Sequence, residues 1–260
     1  MRDNAMRAAW RRGDPAFGAW LSIPSSFSAE VAAHAGFDWV CIDMQHGVID
    51  FAEAVHLLQA ISLSPATPVV RVPWNEPGII GKVLDAGAMG IIIPMVNSPA
   101  EARAAVAACR YAPDGARSYG PTRAPLYAGA DYYTHANAEV ACIPMIETKD
   151  ALAQVDDILS VPGIDAVFVG PADMSITLGL PPAMDNGGAF EDARIAVAQA
   201  CARHNVIAAI YANAALAAKH VAAGYRLITV HSDIAAIATG AAADLATARG
   251  GATAGGAPYP

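Results

Sequence analysis

VACIPMIE (residues 140–147) is apolar from Val140 to Ile146 and then ends on a carboxylate, Glu147. AVFVGPAD (166–173) repeats the form and ends on Asp173, and WVCIDMQH (39–46) closes on Asp43 and His46. PVVRV (68–72) carries Arg71 inside an apolar run. A charge in or at the lip of a buried β segment is costly unless a partner or a metal compensates it. Packing alone does not explain four such costs on four segments. If the strands run parallel and close into an eight-fold barrel, their C-terminal ends meet on one face and the charges share one site.

The rest of the chain has the period such a barrel needs. Apolar β-like runs lie near 16–23, 38–44, 68–72, 90–95, 140–147, 166–171, 206–212 and 225–231. Between them come segments of helical period, such as AEAVHLLQAI (52–61) and EARAAVAACR (101–110). Eight strands alternating with helices predict an α/β chain folded as one (β/α)8 TIM barrel over residues 1–248. A doubly wound open sheet is the alternative, but the chain has no G-x-G-x-x-G or P-loop motif. Two connections are long, 113–138 and 171–190, both rich in Gly and Pro. Both are expected on the catalytic face, where long loops shape pockets. Residues 249–260 are small and Gly/Pro-rich, a composition that predicts a disordered tail.

Bulk properties narrow the function. The chain has 260 residues, is 55% hydrophobic and carries a net charge of −8. No apolar stretch reaches the ~18 residues of a membrane span. The basic N-terminus lacks the apolar core of a signal peptide and reads as a short amphipathic start. With no basic patch, neither nucleic acid nor membrane is an expected partner. Cys41, Cys109, Cys142 and Cys201 form no C-x-x-C pair, so reduced thiols in a cytoplasmic protein are expected.

Glu147 and Asp173 could share one hard divalent cation, with waters and substrate oxygens in its other positions. The bland alternative is that each caps the helix or turn that follows it. His46 at a barrel lip suits a general acid or base near neutral pH. His231 also ends a strand-like run and is the weaker candidate, while His56, His204 and His220 fall on helical segments. Arg71 fits a carboxylate or a developing oxyanion, or else a structural ion pair inside the barrel. Asp85, in GKVLDAG, reads by itself as an ordinary exposed helix acid. Lys82, Lys149 and Lys219 all lie outside the strand-like runs, so a buried Schiff-base lysine is not expected.

GAWLSIPSS (18–26), VCIDMQHG (40–47), VVRVPWNEP (69–77), LDAGAMGIIIPMV (84–96), IPMIETKDAL (143–152) and VFVGPADMSITLG (167–179) follow one another in this order. Together they resemble the HpcH/HpaI aldolase family, the metal-dependent class II pyruvate aldolases, over about residues 16–240. The resemblance implies a (β/α)8 barrel and reversible aldol chemistry between pyruvate, or a related 2-oxo acid such as hydroxypyruvate, and an aldehyde. It also implies a homohexamer, a trimer of dimers that exchange their last helix. Carried over motif by motif, Glu147 and Asp173 become ligands of Mg²⁺, Mn²⁺ or Co²⁺. His46 becomes the base, Arg71 the enolate stabiliser and substrate contact, and Asp85 the acid that raises the basicity of His46. The backbone at Gly170 and Ala172 would hold the 2-oxo acid carboxylate. Arg123, in RSYGPTRA (117–124), matches an arginine of the family's long loop and is placed among the substrate contacts. The chain departs from many members in carrying Gln45 for Glu and Met145 for Gln, so Met145 becomes a substrate contact without an amide. A 2-oxo-acid decarboxylase or a CoA-ester lyase on the same fold remains the alternative, with a catalytically silent binding or assembly protein behind it.

Overall fold

The computed structural model describes residues 1–250, in which eight strands close into one parallel barrel in chain order. They are β1 (Ala16–Leu21), β2 (Trp39–Asp43), β3 (Thr67–Arg71), β4 (Gly90–Ile93), β5 (Ala141–Ile146), β6 (Ala166–Val169), β7 (Ile207–Ile210) and β8 (Leu227–Ser232). Each pairs with the next, and β8 returns to β1. All eight expected strands are present, with ends displaced by a few residues.

Burial on both faces explains why the strands read as continuous apolar runs rather than as alternations. All six residues of β5 are buried. Ala141, Ile143 and Met145 point into the barrel beside Trp39, Cys41, Val69, Ile92 and Phe168. Cys142 and Ile146 point out into the core shared with the surrounding helices. One glycine is required for this packing: a Cβ on Gly18 would lie 2.1 Å from the Trp39 ring. Its absence lets the indole fill the barrel and donate Nε1–H to the Ala16 carbonyl at 3.2 Å.

The basic N-terminal segment forms the helix Ala5–Arg12, capped by Asn4, whose side chain accepts from the Arg7 amide. Met6 of this helix is fully buried in the inner core. Asn4 Nδ2 donates to the carbonyls of Met89 and Glu139, which precede β4 and β5, so the helix closes the N-terminal end of the barrel.

The two long connections part company. The helix Pro171–Thr177 and the segment after it leave the C-terminal end of β6 and lie on the catalytic face, as expected. The connection at 113–138 does not. The helix Pro99–Cys109 starts above β4 and runs back down, so everything between it and Ala141 lies at the N-terminal end. The expectation overlooked that αβ and βα connections occupy opposite ends of a barrel.

The last helix, Asp233–Ala248, is exposed along nearly its whole length, with Ile234, Ile237 and Leu245 open to solvent. Arg249 and Gly250 end it in a turn; the rest of the expected tail lies outside the described residues. No helix among the described residues is long and apolar enough to cross a membrane.

Candidate active site

A cavity of about 360 Å³ opens at the C-terminal end of the barrel, and Asp43, His46, Arg71, Met145, Glu147, Gly170, Ala172 and Asp173 all line it. Strand order explains the gathering. Glu147 follows β5 directly, Gly170 follows β6, and Asp173 is in the first turn of the helix Pro171–Thr177.

Neither carboxylate is a helix cap. Thr148 caps the helix Lys149–Ala153 with its own hydroxyl, accepting from the Ala151 amide at 3.0 Å. The helix Pro171–Thr177 has no side-chain cap hydrogen bond. Glu147 is 2% exposed, and its Oε1 accepts the Met95 amide at 2.8 Å. Burial pushes its carboxyl up to about 7; the Met95 amide pulls the other way, and the nearby Asp173 charge adds to the rise. A buried carboxyl raised by a second carboxylate is the electrostatic setting that a divalent cation relieves. Gly170 leaves room for it: a Cβ there would come 2.4 Å from Glu147 Oε2. Among the described residues no group of three His, Cys, Asp or Glu could cage a metal, so these two carboxylates would be its only protein charges. The residues therefore fit a hard cation that keeps open positions for water and substrate.

Arg71 is the last residue of β3 rather than an interior one, and in the barrel register it faces Asp43, the last residue of β2. Arg71 Nε donates to Asp43 Oδ1 at 2.8 Å and Nη2 to Oδ2 at 2.6 Å. Trp20 Nε1–H donates to Asp43 Oδ2 at 3.2 Å, and the Arg71 guanidinium lies 4.8 Å from the Trp20 ring centre. Burial by itself would raise the Asp43 carboxyl, but the Arg71 hydrogen bonds and charge outweigh it and hold the group below the ordinary range. The backbone amides of Gln45 and His46 also donate to Asp43 Oδ1, at 3.0 and 3.3 Å. Asp43 thus holds both the guanidinium and the turn that presents the exposed His46 side chain.

Two expected site residues are elsewhere. Asp85 ends the helix Pro77–Asp85, which runs from the catalytic face to the opposite end, and it pairs with Arg117 Nη2 at 2.7 Å. It does not reach His46 within the chain, because the barrel separates them. Arg123 also lies at that opposite end. Its Nη1 donates to the Ala86 carbonyl, and its Nη2 donates to Leu58 O at 3.3 Å and to Ser62 Oγ at 3.0 Å. It pins the turn before β4 to the end of a neighbouring helix and does not line the cavity. His231 is likewise outside the lining and packs 5.5 Å from the Phe37 ring.

The sequence reading missed Trp20, Phe168 and Tyr211, which supply apolar lining together with Pro182–Met184 of the 171–190 connection expected there. It noted Asp43 without giving it a role. The missed signal was positional: opposite charges on the last residues of consecutive strands become neighbours in a parallel barrel.

The HpcH/HpaI aldolase/citrate lyase family model matches residues 16–239. A hydroxypyruvate/pyruvate aldolase from Rhizorhabdus wittichii is 41% identical over 252 residues, covering 95% of this chain and 99% of that protein. A 4-hydroxy-2-oxo-heptane-1,7-dioate aldolase from Salmonella dublin is 39% identical over 246 residues, 92% of each chain. The crystal structure of a family protein from Burkholderia cenocepacia superposes with a TM-score of 0.88 at 36% identity, covering 95% of this chain and 99% of that one. The barrel, the pair of carboxylates at the ends of β5 and β6 and these likenesses agree, and the chain belongs to the HpcH/HpaI aldolase/citrate lyase family.

Proposed function

We propose that this aldolase-family lyase adds pyruvate, or a related 2-oxo acid such as hydroxypyruvate, to an aldehyde, and in reverse cleaves a 4-hydroxy-2-oxo acid. The observation that carries the reading is the meeting of Glu147, Asp173, His46 and Arg71 in one cavity. Glu147 and Asp173 hold the divalent metal, for which Mg²⁺, Mn²⁺ and Co²⁺ are the candidates. When bound, that cation would act as a Lewis acid toward the keto group of the 2-oxo acid.

His46 takes a proton from the carbon next to the keto group and returns one to the aldehyde oxygen as the new bond forms. Its backbone is fixed by Asp43, so the ring is presented from a rigid turn. Arg71 has spent Nε and Nη2 on Asp43, which leaves Nη1 for the developing enolate oxygen. The backbone at Gly170 and Ala172 receives the 2-oxo acid carboxylate. Met145 lies against the donor without offering a hydrogen bond.

Small molecules are the proposed partners, and the protein is proposed to work as a homohexamer in the cytoplasm. The open apolar residues of the last helix support assembly. Four free, buried cysteines suit a reducing compartment.

The test is turnover of pyruvate and hydroxypyruvate with a panel of aldehydes, in EDTA and then with each metal restored. Metal-dependent formation of 4-hydroxy-2-oxo acids is expected. Full activity in EDTA, trapped by borohydride with pyruvate, would replace the metal reading with a Schiff base at Lys149.

A further inference from the structure

β8 runs one residue out of step with β1. Gly18 pairs with Thr229 but Ala19 pairs with His231, so Val230 has no partner on β1. An extra residue of this kind re-aims the chain beyond it. Trp20 then pairs with Ser232, and Asp233, the first residue of the last helix, comes level with the end of β1. Asp233 is 7% exposed. Its Oδ1 and Oδ2 accept the Ser22 amide at 3.1 and 3.0 Å, and Oδ2 also accepts the Ile23 amide at 3.0 Å. Oδ1 takes the Ile234 amide at 2.7 Å as well. That last bond satisfies an open donor in the helix's own first turn. The others serve no helix end: they tie the carboxylate to the loop that leaves β1.

This loop meets the catalytic turn. Ser22 lines the cavity, and its carbonyl accepts the Val48 amide at 3.1 Å. Gly47 packs so closely against Ser22 that a Cβ on it would lie 3.0 Å from Ser22 Cα. Gly47 and Val48 directly follow His46. The His46 turn is therefore held at both ends. Asp43 accepts the Gln45 and His46 amides at its start, and Ser22 takes the Val48 amide at its finish.

We propose that Asp233 is a positioning residue for proton transfer: it fixes the backbone at Ser22 and Ile23, and that backbone fixes the turn that carries His46. The inference rests on the aldolase reading and adds a residue to that same site. One carboxylate then both seats the last helix and sets the angle of His46, so helix placement and catalysis are coupled. Without it, the Ser22 and Ile23 amides lose their acceptor and the loop is free to move. Glu147, Asp173 and Arg71 stand on other strands, and none of them is hydrogen-bonded to Ser22 or Ile23 among the described residues. Metal and donor binding should therefore survive a change that slows the proton step.

The experiment measures exchange of the pyruvate methyl protons for deuterium in heavy water with saturating Mn²⁺, read by mass spectrometry of the quenched mixture. No aldehyde is needed, so the proton step is observed alone. Asp233→Asn keeps the size and one acceptor oxygen, whereas Asp233→Ala removes every acceptor. The kcat of exchange should fall about tenfold in the first and about a hundredfold in the second, the size of effect that a displacement of about 1 Å produces. KM for pyruvate and calorimetric Mn²⁺ affinity should stay within about threefold of the parent, because ground-state binding is untouched. Parent-like exchange in both variants below their Tm would overturn the inference, as would Mn²⁺ affinity falling in step with the rate; Asp233 would then only stabilise the fold, and the aldolase reading would stand. Neither exchange nor aldol product from the parent, with either donor and any of the three metals, would overturn both.

Discussion

Arg71 and Asp43 join the ends of two adjacent strands through a two-pronged ion pair, Nε to Oδ1 at 2.8 Å and Nη2 to Oδ2 at 2.6 Å. Their side chains are 12% and 3% exposed. A paired guanidinium of this kind is fixed in angle as well as in place, so its free edge is aimed before substrate arrives.

Asp43→Asn should therefore damage both stability and catalysis. Removing one charge of a buried pair costs about 3–5 kcal/mol, because the other is left uncompensated. The urea midpoint should fall accordingly, and kcat should fall with it as Arg71 loses its aim. The pH dependence has a definite sign. The folded-state value of Asp43 lies below the ordinary 3.8, so the folded protein binds fewer protons there than the unfolded chain. This stabilisation is complete above the ordinary range and is lost as the pH falls through the depressed value. Urea midpoints between about pH 5 and about pH 3 should drop more steeply in the parent than in the variant. Parallel slopes would show that the pair does not govern acid stability.

Trp20→Phe tests the layer beneath that pair. The indole donates to Asp43 and lies under Arg71, and phenylalanine keeps the ring face but loses the N–H. A hydrogen bond to a charged group contributes about 1.5–3 kcal/mol, so kcat/KM should fall roughly tenfold to a hundredfold with the fold retained. Unchanged kinetics would mean that Arg71 alone positions Asp43.

The barrel was legible because its strands are buried on both sides and so read as separate apolar runs. Glu147 was legible because it directly follows such a run, and Asp173 and His46 because they come within a few residues of the end of one. Arg123 and Asp85 do not line the cavity of their own chain, because both belong to the end of the barrel where helices return. Their setting follows from strand–helix order rather than from the residues beside them. Trp20, Phe168 and Tyr211 sit in strands or at their ends and look like core. Only the closed barrel shows that the core and the cavity floor are one surface.

His220 offers a second pH test, away from the site. It is fully buried, packs 5.6 Å from the Tyr225 ring, and neither ring nitrogen has a hydrogen-bond partner. Burial, reinforced by the Arg194 charge, lowers its value from 6.5 to about 4. A depressed histidine binds protons in the unfolded chain first, so stability is lost as pH falls from 6.5 toward about 4. His220→Phe and His220→Leu should flatten the fall in Tm over that window. A fall as steep in both variants as in the parent would show that other groups carry the acid sensitivity.

Gly170→Ala is the cleanest probe of the proposed metal site. The glycine has φ −91° and ψ 98°, a conformation alanine adopts without strain. The backbone therefore tolerates the change, and the new methyl has one consequence. It would meet Glu147 Oε2 at 2.4 Å, Glu147 Cβ at 3.0 Å and Met145 Cε at 3.1 Å. The methionine is flexible and can yield, but the carboxylate is also held by the Met95 amide and has to turn away from its position. Moving one of two charged ligands should weaken Mn²⁺ binding by at least about tenfold, the size of effect seen when a metal site loses the support of its ligands. Far-ultraviolet circular dichroism and Tm should stay near those of the parent. Glu147→Gln should weaken the metal further, because it removes the charge instead of displacing it. Calorimetric titration with Mn²⁺ reads this order directly, independent of turnover. Parent-like affinity in both variants would move the cation away from Glu147 and end its assignment as a ligand.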